Sequence, residues 1–183
     1  ERARDMYSET LVKEDFLAMK KKLKIYGKKL ENTLERCNKE MLVLKRQCEK
    51  LLVLEEMDSF LFALFLAAAA MDELLQKEGN IDEVLDFYFK VRNFVNLSED
   101  FDEHYRIYCD YDEKGQFCLH LFCVDPSYML QKRLDRSRAC VFFSATLLPI
   151  RYYKELLCCD DDVYAIYADS VFEQEKRALL IGR

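Results

Sequence analysis

The sequence is short of punctuation, with four glycines and two prolines in 183 residues, and it has no tryptophan. So few chain-reversing residues argue against a β fold of many tight turns and for long helices. No apolar run approaches the roughly 20 residues that a bilayer span needs. The longest, Phe60 to Met71, is bounded by Asp58 and Asp72 and reads as a buried helix, so no membrane partner is expected. The stretch from Glu1 to Thr10 is charged and lacks the apolar segment of a signal peptide. The eight cysteines, Cys37, Cys48, Cys109, Cys118, Cys123, Cys140, Cys158 and Cys159, form no C-x-x-C pair, and only His104 and His120 stand ready to supplement them. Zinc sites ordinarily need closely spaced ligand pairs, so no metal site is expected; the thiols read as reduced, buried small hydrophobes of a cytoplasmic protein. The sequence also has no G-x-x-x-x-G-K-[ST] loop to cradle phosphates.

What is present describes a globular chain: 51% of residues are hydrophobic and 34% charged, which excludes a disordered tail. The net charge of −6 is unevenly spread. Residues 1–55 carry 14 Lys/Arg against 10 Asp/Glu, while the remainder carries an excess of ten acids. The basic excess gathers at Lys20, Lys21, Lys22, Lys24, Lys28 and Lys29. Such a cluster can neutralise phosphates, and equally it can be a solvated helix face.

From Leu11 to Leu54 the pattern predicts a long amphipathic helix. Phe16, Leu23, Leu30, Cys37, Leu44 and Leu51 recur every seven residues, and Leu34, Met41 and Cys48 form a second row. This coiled-coil-like seam is expected to meet other helices of the same chain, with a bend at Gly27. A second helix is predicted over Asp58–Lys77, apolar nearly all round and therefore covered on most sides, with Gly79 as its C-terminal cap. Asn80 and Glu83 suit a reciprocal cap for a third helix, whose stripe is Ile81, Val84, Leu85, Tyr88, Val91 and Val95. Residues 1 to about 97 thus read as all-helical.

Beyond the acidic stretch Ser98–Asp102 the period changes to two. Tyr105, Ile107 and Cys109 alternate with polar neighbours, Phe117–Val124 is a second strand-like run, and Asp112-Glu113-Lys114-Gly115 between them predicts a hairpin turn. Asp125-Pro126 opens a helix to about Leu134. Ala139–Phe143 has the character of a strand buried on both faces of a parallel sheet, Pro149 starts a helix to about Leu157, and Val163–Ala168 reads as one more strand. The fold class is therefore α+β, with a helical part followed by a small α/β portion.

The most informative segment is Phe142-Phe143-Ser144-Ala145-Thr146-Leu147-Leu148-Pro149. Its small hydroxyls follow an apolar strand pattern, where α/β proteins place functional loops. Taken alone, Ser-Ala-Thr is also an ordinary strand-to-helix turn with local caps. Together with Cys123-Val124-Asp125-Pro126-Ser127 and Tyr152-Tyr153-Lys154-Glu155-Leu156-Leu157, this segment resembles the end of the first motor domain in DinG-like relatives of the XPD helicases. Ser144, Ala145, Thr146, Leu147 and Pro149 match that family's motif III. Glu1-Arg2-Ala3-Arg4-Asp5-Met6-Tyr7 resembles the segment just after the family's Asp-Glu-Ala-His box. Ser170-Val171-Phe172 resembles a Ser-Pro-Phe element leading into the second motor domain, with valine in place of proline.

The resemblance implies an internal piece of an ATP-dependent superfamily 2 DNA helicase. Residues 1–97 would be the arch domain, and residues 98–183 a β-hairpin and the C-terminal part of the first RecA-like motor domain, running toward the second. It implies ATP and magnesium as cofactors of the parent protein, none of them held by this piece, and translocation 5′ to 3′ on single-stranded DNA. Motif III would couple nucleotide state to the nucleic acid, and Lys20 to Lys29 would contact phosphates, with Tyr26 available for base stacking. The family's four-cysteine iron–sulfur cluster lies upstream of Glu1, so these eight cysteines are not its ligands, and its presence in the parent stays open. Asp102-Glu103-His104 has the composition of a magnesium box but does not follow the buried strand that such a box requires. A different class of function also fits the pattern: a stand-alone helical interaction module pairing through its heptad seam. A metal or redox protein built on the cysteines is a third.

Overall fold

A computed structural model describes residues 2–79, 81–144, 146–158 and 163–169. The architecture is α+β, with seven α-helices and one four-stranded antiparallel sheet among the described residues. Helix α1 (Arg2–Met6) leads into strand β1 (Glu9–Val12), which runs directly into α2 (Lys13–Leu23). A 3₁₀ turn at Lys24–Tyr26 connects to α3 (Lys28–Gln47), and β2 (Leu52–Leu54) follows. Then come α4 (Asp58–Glu78), α5 (Asp82–Glu99), β3 (Tyr105–Tyr111), β4 (Phe117–Cys123), α6 (Ser127–Leu134) and α7 (Ile150–Leu157).

The heptad rows are not one helix. At Gly27 the backbone takes φ +123°, a conformation that side-chain-bearing residues rarely adopt, and the chain reverses there instead of bending. Ion pairs show the antiparallel course: Lys20 Nζ lies 2.8 Å from Glu35 Oε2, and Lys45 Nζ lies 3.3 Å from Glu14 Oε1. The seam does meet the same chain. Phe16, Leu23, Leu30, Leu34, Cys37, Met41 and Cys48 are all buried in one core with α4 and α5, whereas Leu51, 62% exposed, lies outside it. The ring of Phe16 packs edge-on against Phe87 at 5.0 Å and Phe60 at 6.3 Å, and Phe60 against Phe94 at 6.2 Å. These T-shaped contacts bind α2, α4 and α5 together.

Helix α4 extends as expected, and the Gly79 N–H closes it on the Leu75 carbonyl at 3.0 Å. Its covering is one-sided: Phe60, Leu64, Ala67, Met71 and Leu74 are buried, but Phe62 and Phe65 are exposed, with the Arg36 guanidinium 4.9 Å from the Phe62 ring centroid. Asn80 lies outside the described residues, as does the Glu83 side chain, and with them the expected reciprocal cap.

Two strands lie where helix was expected. β1 pairs with β4 (Leu11 opposite Leu119) and β2 with β3 (Val53 opposite Tyr108), giving the order β1-β4-β3-β2. Residues 1–97 are therefore not all-helical: this stretch supplies both edges of the sheet whose central hairpin comes from residues 105–123. The hairpin itself follows the period-two pattern, and Gly115 takes φ +74° in its turn. Leu11, Ile107, Cys109, Leu119 and Leu121 face the helices and form the other half of the core.

The two further strands expected near the C-terminal end are not formed among the described residues. Residues 139–144 and 163–169 carry no regular structure, and Val141 is 83% and Phe143 90% exposed. A strand that is apolar on both faces is stable only between partners, and residues 139–143 are not joined to the sheet β1-β4-β3-β2. The expected α/β portion is consequently present only as helices α6 and α7, which match the positions read from Pro126 and Pro149.

Candidate functional site

Motif residues Ser144, Thr146, Leu147 and Pro149 occupy the loop ahead of α7; Ala145 lies outside the described residues, as does Ser170-Val171-Phe172. The Ser144 and Thr146 hydroxyl oxygens are 3.1 Å apart, and the Thr146 N–H donates to Ser144 Oγ at 3.2 Å. Both side chains face solvent, and Leu147 is half-buried. The corner is thus a locally hydrogen-bonded turn whose hydroxyls stay open to an outside partner.

The lysines divide by partner. Lys20 donates to Glu35, which raises its pKa; Lys24 stands 4.0 Å from Glu31; Lys29 reaches both oxygens of Glu73 at 2.6 and 2.7 Å. Lys21, Lys22 and Lys28 are exposed. Between them the 3₁₀ turn turns Ile25 and Tyr26 outward, 81% and 40% exposed, so Tyr26 is not a core tyrosine. These two residues line a cleft of about 270 Å³ with Lys29, Leu30, Glu73 and Lys77. Much of the basic cluster is therefore engaged by its own chain, while Lys21 and Lys28 stand exposed at the tip of the helical hairpin.

A third constellation lies on the sheet face turned away from the helices. His120 Nδ1 is 2.9 Å from Thr10 Oγ1 across the β1–β4 pair, and His120 Nε2 is 2.8 Å from Asp110 Oδ1 across the β3–β4 pair. Tyr108, directly opposite His120, stacks on its ring at 4.4 Å and 13°. Cys118, directly opposite Asp110, completes a group in which one ligand atom each of Asp110, Cys118 and His120 lie within 4.8 Å of one another. Burial, together with Asp112 and Asp110, pushes the Cys118 thiol up to about 11. No C-x-x-C spacing marks this group, because a strand uses a different one: Cys-x-His puts both side chains on one face, and the hairpin register brings Asp110 alongside. By contrast, Asp102-Glu103-His104 is a local turn in which the Asp102 carboxylate accepts from the His104 N–H at 2.9 Å.

No protein-family profile and no curated protein matches this chain. No described helix is long and apolar enough to cross a membrane.

The thiols differ enough to predict their chemistry. Burial pushes Cys37 and Cys109 up to about 12 and Cys123 to about 11, while Cys140 lies exposed. Since the thiolate is the nucleophile, iodoacetamide at mildly alkaline pH is expected to label Cys140 within minutes and to leave Cys37 and Cys109 unmodified until denaturant is added. Peptide mass spectrometry over a time course checks this.

Proposed function

We propose that the chain is part of an ATP-dependent DNA helicase of the DinG/XPD type, contributing a helical module that contacts single-stranded DNA and a motif III loop that faces a nucleotide site built elsewhere in the parent. The reading rests on the resemblance of the Ser144–Pro149 segment and its flanks. One structural observation supports it above the others: the apolar run Val141-Phe142-Phe143 that precedes the motif is uncovered, together with Leu148, Tyr152, Tyr164 and Ile166. Exposed apolar side chains gathered around the motif suit a site that another protein surface covers. The remaining motor domains of the parent supply that cover in this proposal, converting residues 139–143 into the central strand that their composition favours.

ATP and magnesium do not fit the described residues on their own. Gly27, Gly79 and Gly115 stand singly at a helix start, a helix end and a hairpin turn, and none opens a phosphate-cradling loop. No step of hydrolysis is therefore assigned to this chain, and purified chain is expected to turn over no ATP. A cytoplasmic location is part of the same proposal.

For DNA, the proposal places contact at the hairpin tip, where Lys21 and Lys28 flank the outward Tyr26. The start of α3 lies beside them, with no side chain capping its first N–H groups, and helix starts favour phosphate. Fluorescence anisotropy with a labelled single-stranded oligonucleotide tests this. If three phosphates are neutralised, affinity should fall roughly twentyfold between about 50 and about 200 mM salt. Lys21→Glu combined with Lys28→Glu should remove most of the binding. Binding indifferent to salt, or unchanged in the double variant, would remove the tip from the DNA path.

A further inference from the structure

We propose that Asp110, Cys118 and His120 form a site for a zinc-class divalent cation on the open face of the sheet, with Thr10 as its outer-shell anchor. The donor set is one thiolate, one imidazole and one carboxylate, which suits a borderline-soft cation and not magnesium or calcium. The inference is independent of the helicase reading.

Three features of the geometry carry it. First, rigid elements hold the donors: Cys118 and His120 are two residues apart on β4, and Asp110 is the cross-strand neighbour of Cys118 on β3. Second, the spacing is close to that of a loaded site. With bonds of about 2.0 Å to nitrogen and oxygen and about 2.3 Å to sulfur, tetrahedral donors stand about 3.3–3.5 Å apart. Here they lie within 4.8 Å, and the His120–Asp110 pair, at 2.8 Å, has only to open slightly. Third, the histidine is already oriented. Thr10 Oγ1 can accept a hydrogen bond from His120 Nδ1–H in the tautomer whose Nε2 is free to bind a cation, and Nε2 already points toward Asp110, where the cation would sit. A ligand histidine held through its other nitrogen is the usual outer-shell arrangement of metal sites.

On binding, the Cys118 S–H bond breaks, its proton passes to solvent, and a metal–thiolate bond forms. In the empty site His120 Nε2–H can donate to Asp110; on binding that proton leaves Nε2 through solvent and Nδ1 takes one up, donating to Thr10 Oγ1, so that Nε2 and Asp110 Oδ1 each form a metal bond. Three protein donors leave a fourth position, and since His120 and Asp110 are both partly exposed, that position takes water or an exogenous donor.

Titrating the full chain with cobalt(II) tests the proposal, because a cobalt–thiolate bond gives a charge-transfer band that oxygen and nitrogen donors do not. One equivalent should bind with that band, and zinc(II) should displace it. Cys118→Ser should abolish the band, and Cys140→Ser should leave it intact. Thr10→Val keeps all three donors and should weaken binding about 10- to 100-fold. If Cys118→Ser does not fold, Thr10→Val decides: unchanged affinity there overturns the proposal. Absence of the band in the wild-type chain, or its persistence in folded Cys118→Ser, overturns it as well.

Discussion

Replacing Phe16 with alanine is expected to lower the free energy of unfolding by about 3–5 kcal/mol, the range for a large aromatic removed from a packed core. Phe16 is fully buried, and its ring packs against both Phe60 of α4 and Phe87 of α5. Truncation leaves a void between three helices that are also tied to the sheet, where neither side can easily collapse. Since domains of this size hold about 5–15 kcal/mol in total, the loss is a large share of the whole and should move the unfolding midpoint well down. Urea denaturation followed by circular dichroism reads the change. Leu51→Gln is the control: it lies in the same heptad row but outside the core, and should stay within about 0.5 kcal/mol of wild type. A loss below about 1 kcal/mol at Phe16 would contradict the packing of the helical hairpin on α4 and α5.

Phe143 should behave in the opposite way, with an effect that depends on its company. In the isolated chain its ring is 90% exposed, so Phe143→Ser is expected to change stability by no more than about 0.5 kcal/mol. In the larger helicase of our proposal the same ring lies in a strand between partners, and the substitution should cost about 3–5 kcal/mol there and depress ATP turnover with it. Thermal unfolding of both proteins, with and without the substitution, makes the comparison. A loss of more than about 2 kcal/mol in the isolated chain would mean that Phe143 packs against its own domain. The exposed run would then no longer support a companion lobe.

How far these features could be read beforehand depended on the range of the interactions behind them. The β3–β4 hairpin was legible because alternation and an Asp-Glu-Lys-Gly turn are local signals, and α4 through α6 were legible from stripes and caps. The seam marked buried positions at Phe16 through Met41 and at Cys48 but not at Leu51, and it ran through a reversal at Gly27 because a seven-residue repeat survives when two antiparallel helices share one core. β1 and β2 were hidden for a different reason. At four and three residues they carry almost no pattern of their own, and edge pairing with a hairpin some 50 to 110 residues away makes them strands. Ala139–Phe143 is the converse, a strong local strand signal that pairs with no strand among the described residues.

The same contrast runs through the candidate sites. Ser144 and Thr146 stand in an open loop, as their pattern suggested. The pairing of Lys20 with Glu35 and of Lys29 with Glu73 was not readable, because those partners meet only after the helices fold back on one another. Asp110, Cys118 and His120 share one face of the hairpin, a relation that period-two alternation carries in the sequence and cysteine spacing does not.

The strand order has a mechanical consequence. β1 ends where α2 begins and β2 follows the end of α3, and these two strands form the opposite rims of the sheet. Load applied at the tip of the α2–α3 hairpin reaches the hairpin's two roots, each stitched to a separate margin, so prying the helices apart would have to unzip both margins together. Tip and sheet are built to swing as a single lever.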